Sequence, residues 1–201
     1  MDIVEQAPLP KSYSQANQDL FVLSLFGGEP GTFLDVGCSD PKFRNNTYLL
    51  ETKGWTGLCL DNDPMVGYDK RKSKFIQCDC STVDFSSLYP GSKLVDYLSL
   101  DTDGAGLACL ANFVKHGLRF KFATIEHDAY RFGNVMRQDI RELMHREDYA
   151  LLCSDVQDAK LGLAFEDWWI DTKFFSTDTI ARHSFTNKSN RDILLKVLGF
   201  A

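Results

Sequence analysis

What the chain lacks narrows its class first. No apolar run approaches the ~18 residues of a membrane-crossing helix, and residues 1–11 carry no hydrophobic signal-peptide core. No membrane partner is expected, and the two asparagine sequons, Asn45-Asn46-Thr47 and Asn187-Lys188-Ser189, are read as incidental. Nor is there a surplus of positive charge: 22 Lys and Arg stand against 28 Asp and Glu, a net charge of −6. That argues against nucleic acid as the main partner, because phosphate binding draws on a Lys/Arg excess. The basic cluster Lys70, Arg71, Lys72 and Lys74 reads as a solvated helix end. A zinc-finger pair is missing too, since Cys78-Asp79-Cys80 has no second pair at the required spacing. The 6 cysteines are scattered, mostly within apolar runs, as reduced core cysteines of a cytoplasmic protein are.

Two phosphate-binding signatures are also missing. Gly37 ends the apolar run Thr32–Val36, yet Ser39 and Lys42 stand where the later glycines of G-x-G-x-x-G belong. The backbone approach that a dinucleotide pyrophosphate needs is therefore not encoded. No apolar run is followed by Gly-Lys-Ser/Thr, so a P-loop is excluded.

What remains is an ordinary globular composition, with 44% apolar and 25% charged residues over 201 positions. That length suits one domain, 1–201, with a loose arm over 1–12 and a tail over 186–201. The apolar pattern predicts a helix over 14–26 capped by Ser14, and one over 47–53 closed by Gly54. Further helices are predicted over 65–72, 105–113 and 135–146, and an amphipathic stretch over 193–200. Strands are predicted over 32–36, 56–60, 74–77, 95–100, 121–125 and 149–153, with a late one over 163–170. Alternation of this kind gives a mostly parallel sheet with helices on both faces. Trp168 and Trp169 either pack in its core, the commoner place for an aromatic pair in a late strand, or shape an acceptor pocket.

In such a sheet, ligands bind outside the carboxyl ends of the strands, near the point where strand order reverses. Acids collect there. Asp35 and Gly37 follow the first strand, Asp61, Asn62 and Asp63 the second, and Asp79 with Cys80 the third. Asp101 and Asp103 follow the fourth, and Glu126, His127 and Asp128 the fifth. Asp favours turns for local reasons, which explains one or two of these positions and less readily an acid after all five strands. A nucleoside without phosphate suits the pattern. S-adenosylmethionine is such a ligand: its ribose offers hydroxyls and its sulfonium is cationic.

Four segments then resemble the FkbM-type class I methyltransferases. They are "SYSQANQDLFVL" (12–23), "FLDVGCSDPKFRNNTYLLETKGWTGLCLDNDP" (33–64), "VDYLSLDTDGAGLACL" (95–110) and "FATIEHD" (122–128). Ser39 and Pro41 depart from the family's Asn and final Gly, and Asp61 and Asp103 stand where Glu is usual. The resemblance implies a Rossmann-like fold of seven strands with the last antiparallel. It also implies O-methylation of a hydroxyl on a small-molecule or carbohydrate acceptor.

Roles follow on that reading. Asp35, Gly37, Cys38 and Ser39 are assigned to the methionine end of the cofactor, and Asp61 with Asn62 to the ribose. Asp79, with Cys78 or Cys80, is assigned to the adenine, a turn role for Asp79 being the alternative. Asn46 and Thr47 begin a helix facing the loop, where ligand binding and helix capping explain them equally. Asp101 is placed between methyl donor and acceptor, with Asp103, Asp128 and Arg131 on the acceptor side. His127 is the expected base for the acceptor proton, with Glu126 and Asp101 as the other catalytic candidates. Asp101, Glu126 and His127 also offer a ligand set for magnesium or manganese, although their spacing fixes no distances. Other readings stay open: an NAD or nucleoside enzyme on the same fold, or a non-catalytic domain that binds a protein partner.

Overall fold

Residues 10–89, 92–157 and 161–198 are described in a computed structural model of the chain. Most of the expected loose arm, and the last residues of the amphipathic tail, fall outside them. The chain alternates strands and helices as its apolar pattern requires. Helix α1 (Gln18–Leu25) leads into β1 (Thr32–Val36), α2 (Tyr48–Thr52), β2 (Thr56–Asp61) and β3 (Lys74–Gln77). Then come α3 (Phe85–Leu88), β4 (Leu94–Leu100), α4 (Gly106–Lys115), β5 (Arg119–Glu126), α5 (Ala129–Phe132) and α6 (Asn134–Arg146). The chain closes with β6 (Ala150–Gln157), β7 (Ala164–Ile170), α7 (Thr177–His183), β8 (Phe185–Thr186) and α8 (Asn190–Val197).

One sheet has the order β3-β2-β1-β4-β5-β7-β6-β8. Strands β1 to β5 pair in parallel. Strand β7 runs antiparallel to both its neighbours, β5 and β6. The expected late antiparallel strand is therefore present, inserted between β5 and β6 by a hairpin. An eighth, two-residue strand was not foreseen: β8 lies parallel to β6, pairing Phe185 with Cys153 and Thr186 with Ser154.

Period-two alternation divides the core between the two faces. Leu34, Val36, Leu98, Ile125 and Trp169 face the side covered by Phe85, Leu110, Phe113, Ile140 and Leu143 from α3, α4 and α6. Phe33, Tyr97, Phe122 and Trp168 face the other side, covered by Phe21 and Val22 of α1, Leu50 of α2 and Ile193 of α8. Trp168 and Trp169, adjacent in β7, thus point to opposite faces and both are core residues, as expected.

Three local expectations differ. Helix α1 begins at Gln18, not at Ser14, because Asn17 adopts a left-handed φ of 59°. Ser14 instead donates to Asp19 Oδ1 at 2.9 Å. The stretch predicted as a helix over 65–72 holds only a 3-10 turn at Tyr68–Lys70, entered through Gly67 at φ 89°. Helix α7 was not anticipated, although Ser176 caps it by accepting from the Thr179 amide. Among the described residues no helix is long and apolar enough to cross a membrane.

Candidate functional site

Strand order reverses between β1 and β4: the chain builds outward to β3, then returns to β4 on the other side of β1. The loops leaving these two strands diverge at that point and open a cleft. It encloses about 770 Å³. Gly37, Ser39 and Asp40 after β1 line it, with Asp61, Asn62 and Asp63 after β2, Cys78, Asp79 and Cys80 after β3, and Asp101, Thr102 and Asp103 after β4.

Gly37 is where β1 and β4 come closest. Its φ is +76°, and a Cβ there would lie 1.6 Å from the Asp101 carbonyl oxygen. Gly37 thus packs directly on the Asp101 backbone, and the Asp101 amide donates to the Val36 carbonyl at 3.0 Å. Asp61 ties the neighbouring loops together. Its carboxylate accepts from the Ser39 amide at 2.9 Å and the Asp63 amide at 3.0 Å. Asp79 accepts from the Ser81 amide at 2.9 Å and the Ser81 hydroxyl at 2.6 Å. Those contacts hold its carboxyl below its ordinary pKa.

Other residues assigned to the cofactor lie beneath the cleft. Asp35 is buried, with Thr47 Oγ1 donating to it at 2.7 Å. Burial is the largest influence on Asp35 and pushes its pKa up to about 6, against the pull of Thr47 and Arg71. Cys38 is buried in the core. Asn46 donates to Ser99 Oγ at 2.9 Å while its own Oδ1 is buried with no hydrogen-bond partner among the described residues. Asp35, Cys38, Asn46 and Thr47 are therefore the floor of the site and not its lining.

The floor is held by a residue that sequence reasoning placed in solvent. Lys70, Lys72 and Lys74 are exposed, as expected of a solvated cluster, but Arg71 is buried. Its guanidinium donates to the Pro41 carbonyl at 2.8 Å, Asn45 Oδ1 at 3.2 Å and Thr47 Oγ1 at 3.2 Å, and pairs with Glu51 at 3.1 Å. Asn45 adds bonds to the Cys38 carbonyl at 3.0 Å and the Asp40 carbonyl at 3.1 Å. The loop from Cys38 to Thr47 is clamped from behind. An arginine within a run of lysines was the signal available, since only a planar fork of donors can serve several acceptors at once.

The acids after β5 divide between surface and interior. Glu126 is partly buried, and burial first, then the hydrogen bond and charge of Asp101, raise its pKa far above the carboxylate range. Asp128 is buried and also titrates upward, with burial as the main cause. Arg131 Nη1 sits 2.6 Å from Asp103 Oδ1 and 3.8 Å from Asp128 Oδ2.

His127 is placed differently from the open rim expected of it. Its side chain is fully buried, and it does not line the cleft. Nδ1 accepts from the Ala129 amide at 3.2 Å and Nε2 lies 3.7 Å from Asp167 Oδ1. The reason is the antiparallel hairpin: the His127 and Asp128 amides both donate to the Phe165 carbonyl, so the chain stays with β7 past the end of β5. Asp167 is buried, which alone would raise its pKa. The Arg141 guanidinium, at 2.7 and 2.8 Å, and then His127 hold it down at about 2. Consequently the ligand set Asp101, Glu126 and His127 does not assemble. The carboxylates that do converge are Asp103, Glu126 and Asp128, with atoms within 4.8 Å of one another.

No protein-family model and no curated protein sequence matches the chain. Solved structures do. The chain is similar to the 1,6-didemethyltoxoflavin-N1-methyltransferase of Burkholderia thailandensis, crystallised with 1,6-didemethyltoxoflavin and S-adenosylhomocysteine. Identity is 15% and the TM-score 0.50, over 79% of this chain and 77% of that one. It is also similar to WbdD, a bifunctional kinase-methyltransferase, at 15% identity and a TM-score of 0.51. That match covers 76% of this chain but 37% of WbdD, so the chain spans little more than a third of it. At such identity the likeness carries the fold. Together with the strand order, it shows the mixed α/β, Rossmann-like fold of the class I methyltransferases.

Proposed function

We propose that the chain is an S-adenosylmethionine-dependent methyltransferase acting on a hydroxyl of a small-molecule or sugar-like acceptor in the cytoplasm. One observation carries the cofactor: the charge of the cleft at the switch point. Asp40, Asp61, Asp63, Asp79, Asp101 and Asp103 line it, against Arg44 as the only basic lining residue among the described residues. Such a lining repels the pyrophosphate of a dinucleotide and accommodates a ribose, an adenine and a sulfonium. The toxoflavin methyltransferase, with S-adenosylhomocysteine bound on the same fold, supports this choice. The hydroxyl acceptor and the relation to FkbM-type enzymes rest on the four sequence segments. The six cysteines, all free thiols, support a reducing compartment.

In this reading Asp61 takes the ribose hydroxyls and Asp79 with Cys80 flanks the adenine. The loop from Gly37 to Ser39, backed by Asp35, holds the methionine end. The acceptor oxygen attacks the methyl carbon in line with the carbon–sulfur bond, sulfur leaves as a neutral thioether, and the hydroxyl proton goes to a base. His127 is too deeply buried for that role. Asp101 is the carboxylate on the cleft, and Glu126 beside it has its pKa raised by burial and then by the hydrogen bond and charge of Asp101. The test is transfer of radiolabelled methyl from S-adenosylmethionine to a panel of sugars and phenols. Asp101→Asn should lower turnover about 100-fold or more while S-adenosylhomocysteine still binds. Unchanged turnover in that variant overturns Asp101 as the base, and transfer only to amines overturns the hydroxyl acceptor.

A further inference from the structure

Three of the chain's free thiols stand at the cleft, and two of them carry a second inference, which does not depend on the proposed cofactor. We propose that Cys78 and Cys80 form a binding site for a soft, thiophilic metal ion of the copper(I) class. Their sulfurs are 3.9 Å apart, with one thiol donating to the other. Both line the cleft after β3, and Cys109 lines the same cleft. Cys78 is partly exposed, so an ion reaches the pair from solvent. At a metal–thiolate bond of about 2.3 Å, the 3.9 Å separation gives a sulfur–metal–sulfur angle of about 116°. Copper(I) accepts two or three sulfur ligands, and thiolates select it over hard cations. A structural zinc ion needs four ligands. Among the described residues no third acid, histidine or thiol converges with the pair to supply them.

The pair is also held in place. The Cys78 amide donates to the Asp61 carbonyl at 2.8 Å, and the Val83 amide to the Asp79 carbonyl at 2.9 Å. Asn112, buried on α4, donates through Nδ2 to the Cys80 carbonyl at 3.0 Å and the Val83 carbonyl at 2.9 Å. The turn that carries both thiols is therefore fixed before an ion arrives, which lowers the ordering cost of binding. Burial is the main influence on both thiols and raises the pKa of each, so both are neutral in the free chain. Binding forms two metal–sulfur bonds and releases the two thiol protons to solvent, with no change in oxidation state. Asp61, Asp63 and Asp79 in the same lining draw a cation into the cleft. The other neighbouring thiols, Cys38 and Cys59, are buried in the core and lack this access.

The experiment is anaerobic titration of the purified full chain with copper(I), supplied as its acetonitrile complex, in competition with bathocuproine disulfonate. The chelator's visible absorbance reports the copper it loses, and X-ray absorption of the loaded chain reports the donor atoms. The wild type should withdraw one equivalent of copper and show sulfur ligands. Cys78→Ser and Cys80→Ser should each weaken binding about 100-fold or more. Cys78 is partly exposed, so Cys78→Ser keeps the test decisive if Cys80→Ser fails to fold by circular dichroism. A wild type that withdraws no copper overturns the site. So does an affinity that Cys78→Ser leaves unchanged, or a donor shell of nitrogen and oxygen alone. No nucleoside is present in this titration, so failure of the metal site and failure of the methyltransferase reading, which S-adenosylhomocysteine binding tests, are separate results.

Discussion

Gly37 is the residue at which one methyl group would do the most harm. Its left-handed backbone and the 1.6 Å approach of a Cβ to the Asp101 carbonyl leave neither the conformation nor the space for a side chain. Gly37→Ala should cost about 2–4 kcal/mol, read as a lower urea midpoint, and the two loops that frame the cleft should separate. Arg71 is the other sensitive position. Removing it leaves Glu51 buried without its cation, which costs about 3–5 kcal/mol. Arg71→Lys should recover little of that loss in thermal melts, because one ammonium cannot serve Pro41, Asn45, Thr47 and Glu51 together. At this scale the sequence was legible where a residue's position follows from its place after an apolar strand: Asp61, Asp79 and Asp101 line the cleft as counting strand ends suggests. It was not legible where a distant partner decides. Only its guanidinium distinguishes Arg71 from its lysine neighbours, and its partners lie some twenty to thirty residues earlier in the chain; nothing local turns His127 inward, since Asp167 and Phe165 lie about forty residues further on.

Helix α1 and strand β7 meet through a buried polar contact that links the first helix to the middle of the sheet. Gln18 Nε2 donates to Glu166 at 3.0 Å, and Trp168 Nε1 donates to the same carboxyl at 2.7 Å. Burial, the largest influence, pushes the Glu166 pKa up to about 8, above the ordinary carboxylate value of 4.5. The folded chain therefore binds this proton more tightly than the unfolded chain. Its contribution to stability is complete below pH about 4.5 and is lost as pH rises through about 8. The melting temperature of the wild type should fall across that window. Glu166→Gln should flatten the fall by about 5 °C or more at pH 9, while gaining nothing at pH 5. An identical pH dependence in the variant would show that Glu166 ionises freely in the fold. Elements with long apolar runs were legible, and β1 and β3 have the expected bounds. Short elements were not: α7 and β8 owe their position to a cap at Ser176 and to pairing with β6, and their own sequence carries little periodicity.

In the whole molecule, sheet order and the charge of one cleft act together. The order β3-β2-β1-β4-β5-β7-β6 with β7 antiparallel places five parallel strand ends at one rim. That architecture was legible from strand–helix alternation; the small edge strand β8 was not, because two residues of pairing leave no pattern. On the proposed function, the acid-rich rim favours a cationic nucleoside over a dinucleotide. The most direct measurement is isothermal titration of the full chain with S-adenosylhomocysteine and with NAD, each repeated on Asp61→Ala. S-adenosylhomocysteine should bind saturably, weakened about 10-fold or more by the substitution, and NAD should not bind. Tight binding of NAD, or binding of neither ligand, would contradict the proposed cofactor.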